Sequence, residues 1–203
     1  MPDEVLFAYF FITVYIAFWI VMGYYLRQTR DPDAPRTSAE RREAMKKEGW
    51  TGIAIVVLTP IEIIIIIIYA FFPALLSWTF LFIIPEIVRW MGLIFTLLVI
   101  PLVVWVHRAL GKAYSYALET KVQQNLITSG PFRRIRHPLY SAYTLFNLGM
   151  VLLTMNIPLT VFAIIGIPIT YSRMRDEELM MIEKFGSEYE EYMKQTSRIF
   201  PKF

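Results

Sequence analysis

The sequence contains no cysteine and only two histidines, His107 and His137, among its 203 residues. The lack of cysteine excludes disulfides, thiolate metal sites and cysteine nucleophiles. The two histidines lie in different segments and lack the spacing of a zinc site, so we expect no metal. The nine glycines form neither a GxGxxG motif nor a P-loop, and no GxSxG elbow is present. Soluble cofactor-binding and hydrolase classes that rely on these motifs are therefore excluded.

Charge is also scarce, because only 18% of the residues are charged whereas 56% are hydrophobic. The apolar residues occur in long blocks, which is typical of membrane proteins rather than of soluble cores. The first block, residues 5–26, is too long for a signal-peptide core, and no basic leader or small-residue cleavage site precedes it. We interpret it as a retained transmembrane helix.

The hydrophobic blocks predict an all-α integral membrane protein with about five transmembrane helices. The last two blocks have 17 and 15 residues, which is short for a bilayer core about 30 Å thick. We therefore expect them to form a short helical hairpin packed against the other helices. The predicted spans are approximately 5–26, 50–72, 87–106, 139–155 and 157–171.

The distribution of Lys and Arg predicts the topology. Of the 20 basic residues, 19 lie in the segments 27–47, 108–136 and 173–202, and five spans place all three segments on one face. The positive-inside rule makes this face cytoplasmic and places the N-terminus outside. Among the polar parts of this face we expect a helix through "SAERREAMKKE" within the 27–49 loop. We also expect an amphipathic helix over 172–194, interrupted at Gly186.

The stretch "PFRRIRHPLY" at 131–140 concentrates cationic and hydrogen-bonding groups where a helix is predicted to start. The first turn of a helix has unpaired N–H groups that can bind a carboxylate or phosphate. Arg173 and Glu177 are four residues apart and share a helix face. Because the hairpin returns them to the same membrane surface, we expect them to meet His137 and Tyr140 in a pocket open to water and lipid.

Simpler structural roles remain open for these groups. Arg133 and Arg134 are favoured as anchors to lipid headgroups, and Arg136 is assigned to neither role. His137 can equally serve as a helix cap.

Two other polar features also have a structural interpretation. Arg173 and Glu177 can form an interfacial ion pair without binding a ligand. Glu62 lies inside a predicted span, where a carboxylate indicates function by default. We favour a role in satisfying backbone groups freed near Pro60.

Two sequence stretches carry a family resemblance. "LETKVQQNLITSGPFRRIRHPLYSAY" (118–143) and "RMRDEELMMIEKFGSEYEEYMKQTSRIFP" (173–201) resemble the isoprenylcysteine carboxyl methyltransferases. They also resemble the wider group of integral-membrane methyltransferases that includes phospholipid methyltransferases. The resemblance covers roughly 107–203 and implies that this part is the catalytic methyltransferase region. Residues 1–106 would then supply N-terminal transmembrane helices and the cytoplasmic 27–49 loop.

The resemblance implies a cofactor, S-adenosyl-L-methionine, bound without a Rossmann domain. Arg173 matches the arginine that the family places beside the methyl acceptor, and Arg173 and Glu177 are the implied catalytic residues. This sequence departs from common family residues at Ala117, Gln124, Phe132 and Ala142. The implied cofactor contacts are Gln124, Asn125, Leu126, Ile127, Phe132, His137, Pro138, Leu139, Tyr140 and Glu177.

The function that we expect is methyl transfer to a lipid-linked or lipophilic acceptor at the cytoplasmic face, with the carboxylate of a prenylated cysteine favoured. Such a carboxylate is already ionised at neutral pH, and an arginine can bind it bidentately. Phospholipid N-methylation and thiol S-methylation are alternatives. An NADPH-dependent sterol-reductase-like enzyme and a non-catalytic lipid-binding scaffold are alternatives of other classes. We expect membrane lipids but no nucleic acid as partners, and the sequence leaves the oligomeric state open.

Overall fold

The computed structural model describes residues 2–28, 49–79, 85–111 and 126–201, which form helices and no β-strand within these ranges. This confirms the prediction of an all-α fold. Two short 3₁₀ helices cover Pro73–Thr79 and Gly130–Arg133. The α-helices are α1 (Pro2–Gln28), α2 (Gly49–Phe71), α3 (Glu86–Leu110), α4 (Pro138–Thr154), α5 (Ile157–Phe185) and α6 (Ser187–Gln195).

Within the described ranges, α1, α2, α3 and α5 are long and apolar enough to cross a membrane. The chain is thus an integral membrane protein. Helix α4 has 17 residues, which corresponds to about 25 Å at 1.5 Å per residue. It is therefore shorter than a bilayer core of about 30 Å, as the sequence predicts.

Helix α5 differs from the prediction. We expected a 15-residue span ending at residue 171 and a separate amphipathic helix, but one helix of 29 residues continues from Ile157 to Phe185. The onset of polar residues after 171 contains no glycine or proline that would end the helix. The helix is instead interrupted at Gly186, as predicted, where a backbone φ of +55° favours glycine. The last two spans are therefore not a pair of short helices, since only α4 is short.

Helices α3 and α4 pack closely because glycines lie between them. A Cβ atom added at Gly92 would be only 2.6 Å from the backbone nitrogen of Leu153, and one added at Gly149 would overlap the side chain of Thr96. The Thr96 hydroxyl donates to the Gly92 carbonyl, at 2.7 Å, which satisfies it inside the helix interface. This contact fixes α4 against a long spanning helix.

An ion pair joins the helices at the end of the bundle where α4 finishes. The buried guanidinium of Arg89 in α3 donates to both carboxylate oxygens of Glu4 in α1, at 2.8 and 3.1 Å. It also donates to the Tyr69 hydroxyl of α2 and to the Leu153 carbonyl of α4, at 3.3 and 3.0 Å. Its central carbon lies 3.8 Å from the centroid of the Phe7 ring. One side chain thus connects four helices.

Aromatic and sulfur contacts join the helices at the opposite end. The rings of Tyr25 and His107 stack with their centroids 4.8 Å apart, and His107 Nε2 lies 3.2 Å from the sulfur of Met22. The hydroxyl of Tyr143 in α4 is directed at the same sulfur, at 3.6 Å. The C-terminal ends of α1 and α3 therefore lie at the same end of the bundle as the start of α4.

Candidate functional site

The site begins where the chain enters α4. Pro138 occupies the first turn of the helix, where a missing N–H has no cost. His137 lies at the N-cap position, but its side chain forms no capping hydrogen bond. His137 is therefore the cap residue by position, while its imidazole takes no part in capping and meets other partners.

The imidazole of His137 lies between two carboxylates of α5. Its Nδ1 is 3.4 Å from an oxygen of Glu177, and its Nε2 is 3.3 Å from an oxygen of Glu178. Burial lowers the pKa of His137, but hydrogen bonds to Glu177 and Glu178, together with their charges, outweigh burial and raise the pKa above its ordinary value. The arrangement favours the imidazolium form.

Tyr140, one turn into α4, completes the connection to α5. Its hydroxyl donates to Glu177 Oε1 at 2.6 Å, and Arg173 is a further hydrogen-bond partner of the same tyrosine. The rings of His137 and Tyr140 contact edge to face, with centroids 5.7 Å apart. The structure thus brings together four of the residues predicted to meet: Arg173, His137, Tyr140 and Glu177.

The two consecutive glutamates of α5 face different surroundings, because neighbouring residues on a helix are about 100° apart. The side chain of Glu177 is 33% exposed, whereas that of Glu178 is 4% exposed. Glu177 can therefore meet a ligand from water. Glu178 is buried against other parts of the protein.

Sequence reasoning missed the role of Glu178. Its carboxylate accepts from Arg136 Nε at 2.9 Å and from Arg198 Nε at 3.2 Å, besides contacting His137. Arg136, which had no assigned role, also donates from Nη1 to the Met193 carbonyl at 2.9 Å. The doubled glutamate was part of the quoted motif, but a motif does not reveal which of two carboxylates faces inward.

Residues 196–199, here called the 196–199 segment, lie beside the loop that leads into α4. The backbone N–H groups of Arg136 and His137 donate to the carbonyls of Ser197 and Arg198, at 2.8 and 3.0 Å. Ser197 N–H donates to the Arg134 carbonyl at 3.0 Å, which makes a parallel bridge centred on Ile135. The segment is thus paired with the residues immediately before the site.

The other predicted contacts are distributed around this centre. Phe132 is buried, and its carbonyl accepts from the Tyr192 hydroxyl at 2.7 Å. Leu139 packs against the core of the bundle. Leu126 and Ile127 are half-buried.

Several sequence-based expectations concern the surface or undescribed positions. Arg133 and Arg134 are exposed, as headgroup anchors would be. Gln124, Asn125 and the helix expected at "SAERREAMKKE" lie outside the described residues. The described residues contain no group of three or more His, Asp or Glu residues that could hold a metal.

Comparison with protein families places this geometry in context. The family profile for phospholipid methyltransferases matches residues 87–188, which is half of the chain and contains α4, α5 and all of α3 except Glu86. The chain belongs to the phospholipid methyltransferase family. It is a membrane methyltransferase, and the matched region includes Arg173, His137, Tyr140 and both glutamates.

The fold of this methyltransferase is also found among solved structures. It is similar to a eukaryotic intramembrane Ras methyltransferase, an isoprenylcysteine carboxyl methyltransferase, with a TM-score of 0.55 and 16% sequence identity. The alignment covers 95% of this chain and 67% of that one. No curated protein sequence matches the methyltransferase. The structural likeness confirms the predicted membrane fold.

Proposed function

We propose that this protein transfers a methyl group from S-adenosyl-L-methionine to a lipid-linked acceptor at the cytoplasmic membrane face. The favoured acceptor is the carboxylate of a prenylated cysteine. The observation that carries the proposal is the convergence of Arg173, Glu177, Tyr140 and His137 at one end of the bundle. Membership of a methyltransferase family supports the reaction class.

The residues present fit the cofactor. S-adenosyl-L-methionine carries cationic groups, ribose hydroxyls and a carboxylate. The partly exposed carboxylate of Glu177 suits a cation or a hydroxyl, and the ring of Tyr140 suits a cation through its π face. The N–H groups at the start of α4 suit the carboxylate. When bound, the cofactor would supply a methyl group activated by its sulfonium.

The acceptor preference is argued from charge. Arg173 is buried, and a guanidinium can hold a carboxylate through two parallel N–H donors. His137 lies between two carboxylates that favour its protonated form, so it is poorly suited to remove a proton. An acceptor that is already ionised at neutral pH, such as a carboxylate, needs no such base.

A phospholipid amine is the second candidate, because the matching family profile is that of phospholipid methyltransferases. This reaction would require an amine to lose its proton before or during transfer. Glu177 is the partly exposed carboxylate of the site and would be the group to accept that proton. The two candidates therefore differ in whether the acceptor must be deprotonated.

The proposal that the site faces the cytoplasm is based on the distribution of charge along the chain. The site lies at the bundle end where α1 and α3 finish and α4 starts, and most Lys and Arg residues belong to the segments that follow or precede those ends. The positive-inside rule assigns such an end to the cytoplasm. The N-terminus would then be outside, and residues 107–203 would form the catalytic region.

A labelling experiment tests the proposal directly. The purified protein in lipid nanodiscs is incubated with methyl-labelled S-adenosyl-L-methionine and, in separate reactions, a prenylated cysteine, a phosphatidylethanolamine and a lipophilic thiol. We expect label on the prenylated cysteine, and an Arg175→Ala control on the exposed face of α5 should label it equally. Label on phosphatidylethanolamine alone would favour the second candidate. Absence of both cofactor binding and labelling would contradict the proposed function.

A further inference from the structure

The three residues around Glu178 come from two separate parts of the chain. Arg136 precedes α4, His137 occupies its N-cap, and Arg198 belongs to the 196–199 segment. All three direct nitrogen atoms at one carboxylate that is almost fully buried. A buried carboxylate is stable when such partners surround it, and removing one of them leaves an uncompensated charge.

This cluster extends directly to the proposed reaction site. His137 contacts Glu178 through Nε2 and Glu177 through Nδ1, so its ring connects the buried carboxylate with the partly exposed one. The orientation of the ring therefore depends on both glutamates. Tyr140 fixes Glu177 from the other side by its 2.6 Å hydrogen bond.

The 196–199 segment holds the opposite side of the same residues. Its carbonyls accept the backbone N–H groups of Arg136 and His137, and the Ile199 carbonyl accepts the hydroxyl of Ser141 in the first turn of α4. Arg198 reaches over the Tyr171 ring, at 5.1 Å from its centroid, to pair with Glu178. The segment thus contacts the backbone of His137 directly and its side chain through Glu178.

From these contacts we infer that Glu178 is a positioning residue for methyl transfer and that Arg198, in the 196–199 segment, acts through it. Glu178 holds the ring of His137, and His137 in turn holds Glu177 in the orientation that meets the cofactor. This inference rests on the proposed function only where it predicts an effect on the rate of methyl transfer. The 196–199 segment lies beyond the 87–188 region that matches the family profile. Its role is therefore inferred from the contacts of the segment and not from the family match.

The first test measures the titration of His137 by NMR. The chain has only two histidines, so histidine-labelled protein gives two signals, and His137→Gln identifies the signal of interest. Among the described residues, His137 contacts Glu177 and Glu178 of α5 and the ring of Tyr140, and Arg136 and Arg198 bind the Glu178 carboxylate beside it. In Glu178→Gln we expect the His137 titration to move to lower pH, because a carboxylate that favours the imidazolium is lost.

The matched control for this titration is Glu191→Gln. Glu191 is an exposed carboxylate of α6 that pairs with the exposed Lys194 at 3.0 Å. Its removal should leave the His137 titration unchanged. An unchanged titration in Glu178→Gln would overturn the inference, and this result does not depend on whether the protein methylates any acceptor.

The second test is a double-mutant cycle on kcat/KM for the methyl transfer. Arg198→Ala and Glu178→Gln should each lower kcat/KM about 10- to 100-fold, because a displacement of about 1 Å can cost about 100-fold. The double variant should lose little more than the worse single variant, because Arg198 acts through Glu178. Additive losses would overturn the inference.

Two further variants separate positioning from loss of folding. Arg198 is 29% exposed at the edge of the cluster, so Arg198→Lys keeps a charge there without the planar fork and should restore part of the activity lost in Arg198→Ala. Arg175→Ala removes an exposed arginine of α5 and should leave kcat/KM unchanged. Equal activity in Arg198→Ala and Arg175→Ala would contradict the role of Arg198. If the wild-type protein binds no S-adenosyl-L-methionine, the proposed function fails, while the His137 titration still decides the role of Glu178.

Discussion

The hydroxyl of Tyr140 donates a 2.6 Å hydrogen bond to the carboxylate of Glu177, which joins the first turn of α4 to α5 across the opening of the site. The chain itself connects the two helices at their far ends, where Asn156 caps the start of α5, and His137 contacts Glu177 and Glu178 beside the Tyr140 hydrogen bond. The hydrogen bond therefore closes the open end of a helical pair. It also holds in place the carboxylate that we propose for the cofactor.

Tyr140→Phe is expected to weaken cofactor binding about tenfold. The change removes one hydrogen bond to a charged group, which contributes about 1.5 kcal/mol or more, and 1.4 kcal/mol corresponds to a factor of ten in affinity. Isothermal titration with S-adenosyl-L-methionine measures this directly. Tyr9→Phe, at an exposed tyrosine near the other end of the bundle, should bind as the wild type does. An unchanged affinity in Tyr140→Phe would show that the hydrogen bond to Glu177 does not contribute to cofactor binding.

Arg173→Ala should abolish turnover with a carboxylate acceptor while leaving the protein folded. Arg173→Lys should retain only part of the activity, since an ammonium cannot form two parallel hydrogen bonds with a carboxylate. Single-turnover rates with prenylated cysteine give the comparison, and Arg175→Ala serves as the exposed control on the same helix. Wild-type rates in Arg173→Ala would show that the acceptor is held elsewhere.

Gly92→Ala should lower the free energy of unfolding by at least about 1–3 kcal/mol, the usual range for overpacking. The added Cβ would meet backbone atoms of Leu153 and Leu152 at 2.6 and 2.8 Å, so α3 and α4 would have to separate. Gly166→Ala, in α5, is the matched control because nothing lies within 4 Å of its added Cβ. The control should be neutral or stabilise by up to about 1 kcal/mol. Thermal unfolding in detergent distinguishes the two, and an equal melting temperature would contradict the close packing.

Arg89→Ala should be among the most destabilising single changes, at about 3–5 kcal/mol. It leaves the carboxylate of Glu4 without its bidentate partner, and the Tyr69 hydroxyl and Leu153 carbonyl lose a donor. Replacing both members, in Arg89→Met with Glu4→Gln, should recover part of the loss because no charge is then left unpaired. Melting temperatures of the single and double variants measure the effect. A double variant less stable than Arg89→Ala would argue against this reasoning.

The stability of the protein should depend on pH through His137. Because its pKa is raised in the folded protein, its stabilising contribution is fully present below its ordinary pKa of about 6.5. That contribution is lost as the pH rises through the higher folded pKa. Melting temperatures of wild type and His137→Gln should therefore differ most at low pH and converge at high pH. Arg175→Ala should follow the wild type at every pH, and a constant difference for His137→Gln would contradict the prediction.

The sequence predicted the helical membrane fold because long apolar blocks are a strong signal, and the start of α4 at His137-Pro138 followed from proline chemistry. It misplaced the end of α5, because a change from apolar to polar residues does not end a helix. The helix ends where Gly186 adopts a positive φ. Four site residues were predicted to meet and do so, because the hairpin returns α5 to the membrane surface at which α4 starts.

The environment of Glu178 was beyond sequence reasoning. Its partner Arg198 is 20 residues away and comes from an extended segment with no periodicity to indicate its position. Arg136 was left between two roles for the same reason, because its carboxylate partner is 42 residues away. Contacts of this kind depend on how the last residues fold back, which no local pattern encodes.

The position of the 196–199 segment along the chain has a consequence for how the protein is made. All described helices precede this segment, so Arg198 is the last member of the Glu178 cluster to be synthesised. Until this segment folds back, the buried carboxylate of Glu178 lacks one of its cations, and the loop before α4 lacks its pairing partner. Under the role proposed for this segment, a chain with inserted spans but an undocked 196–199 segment would not yet consume its methyl donor.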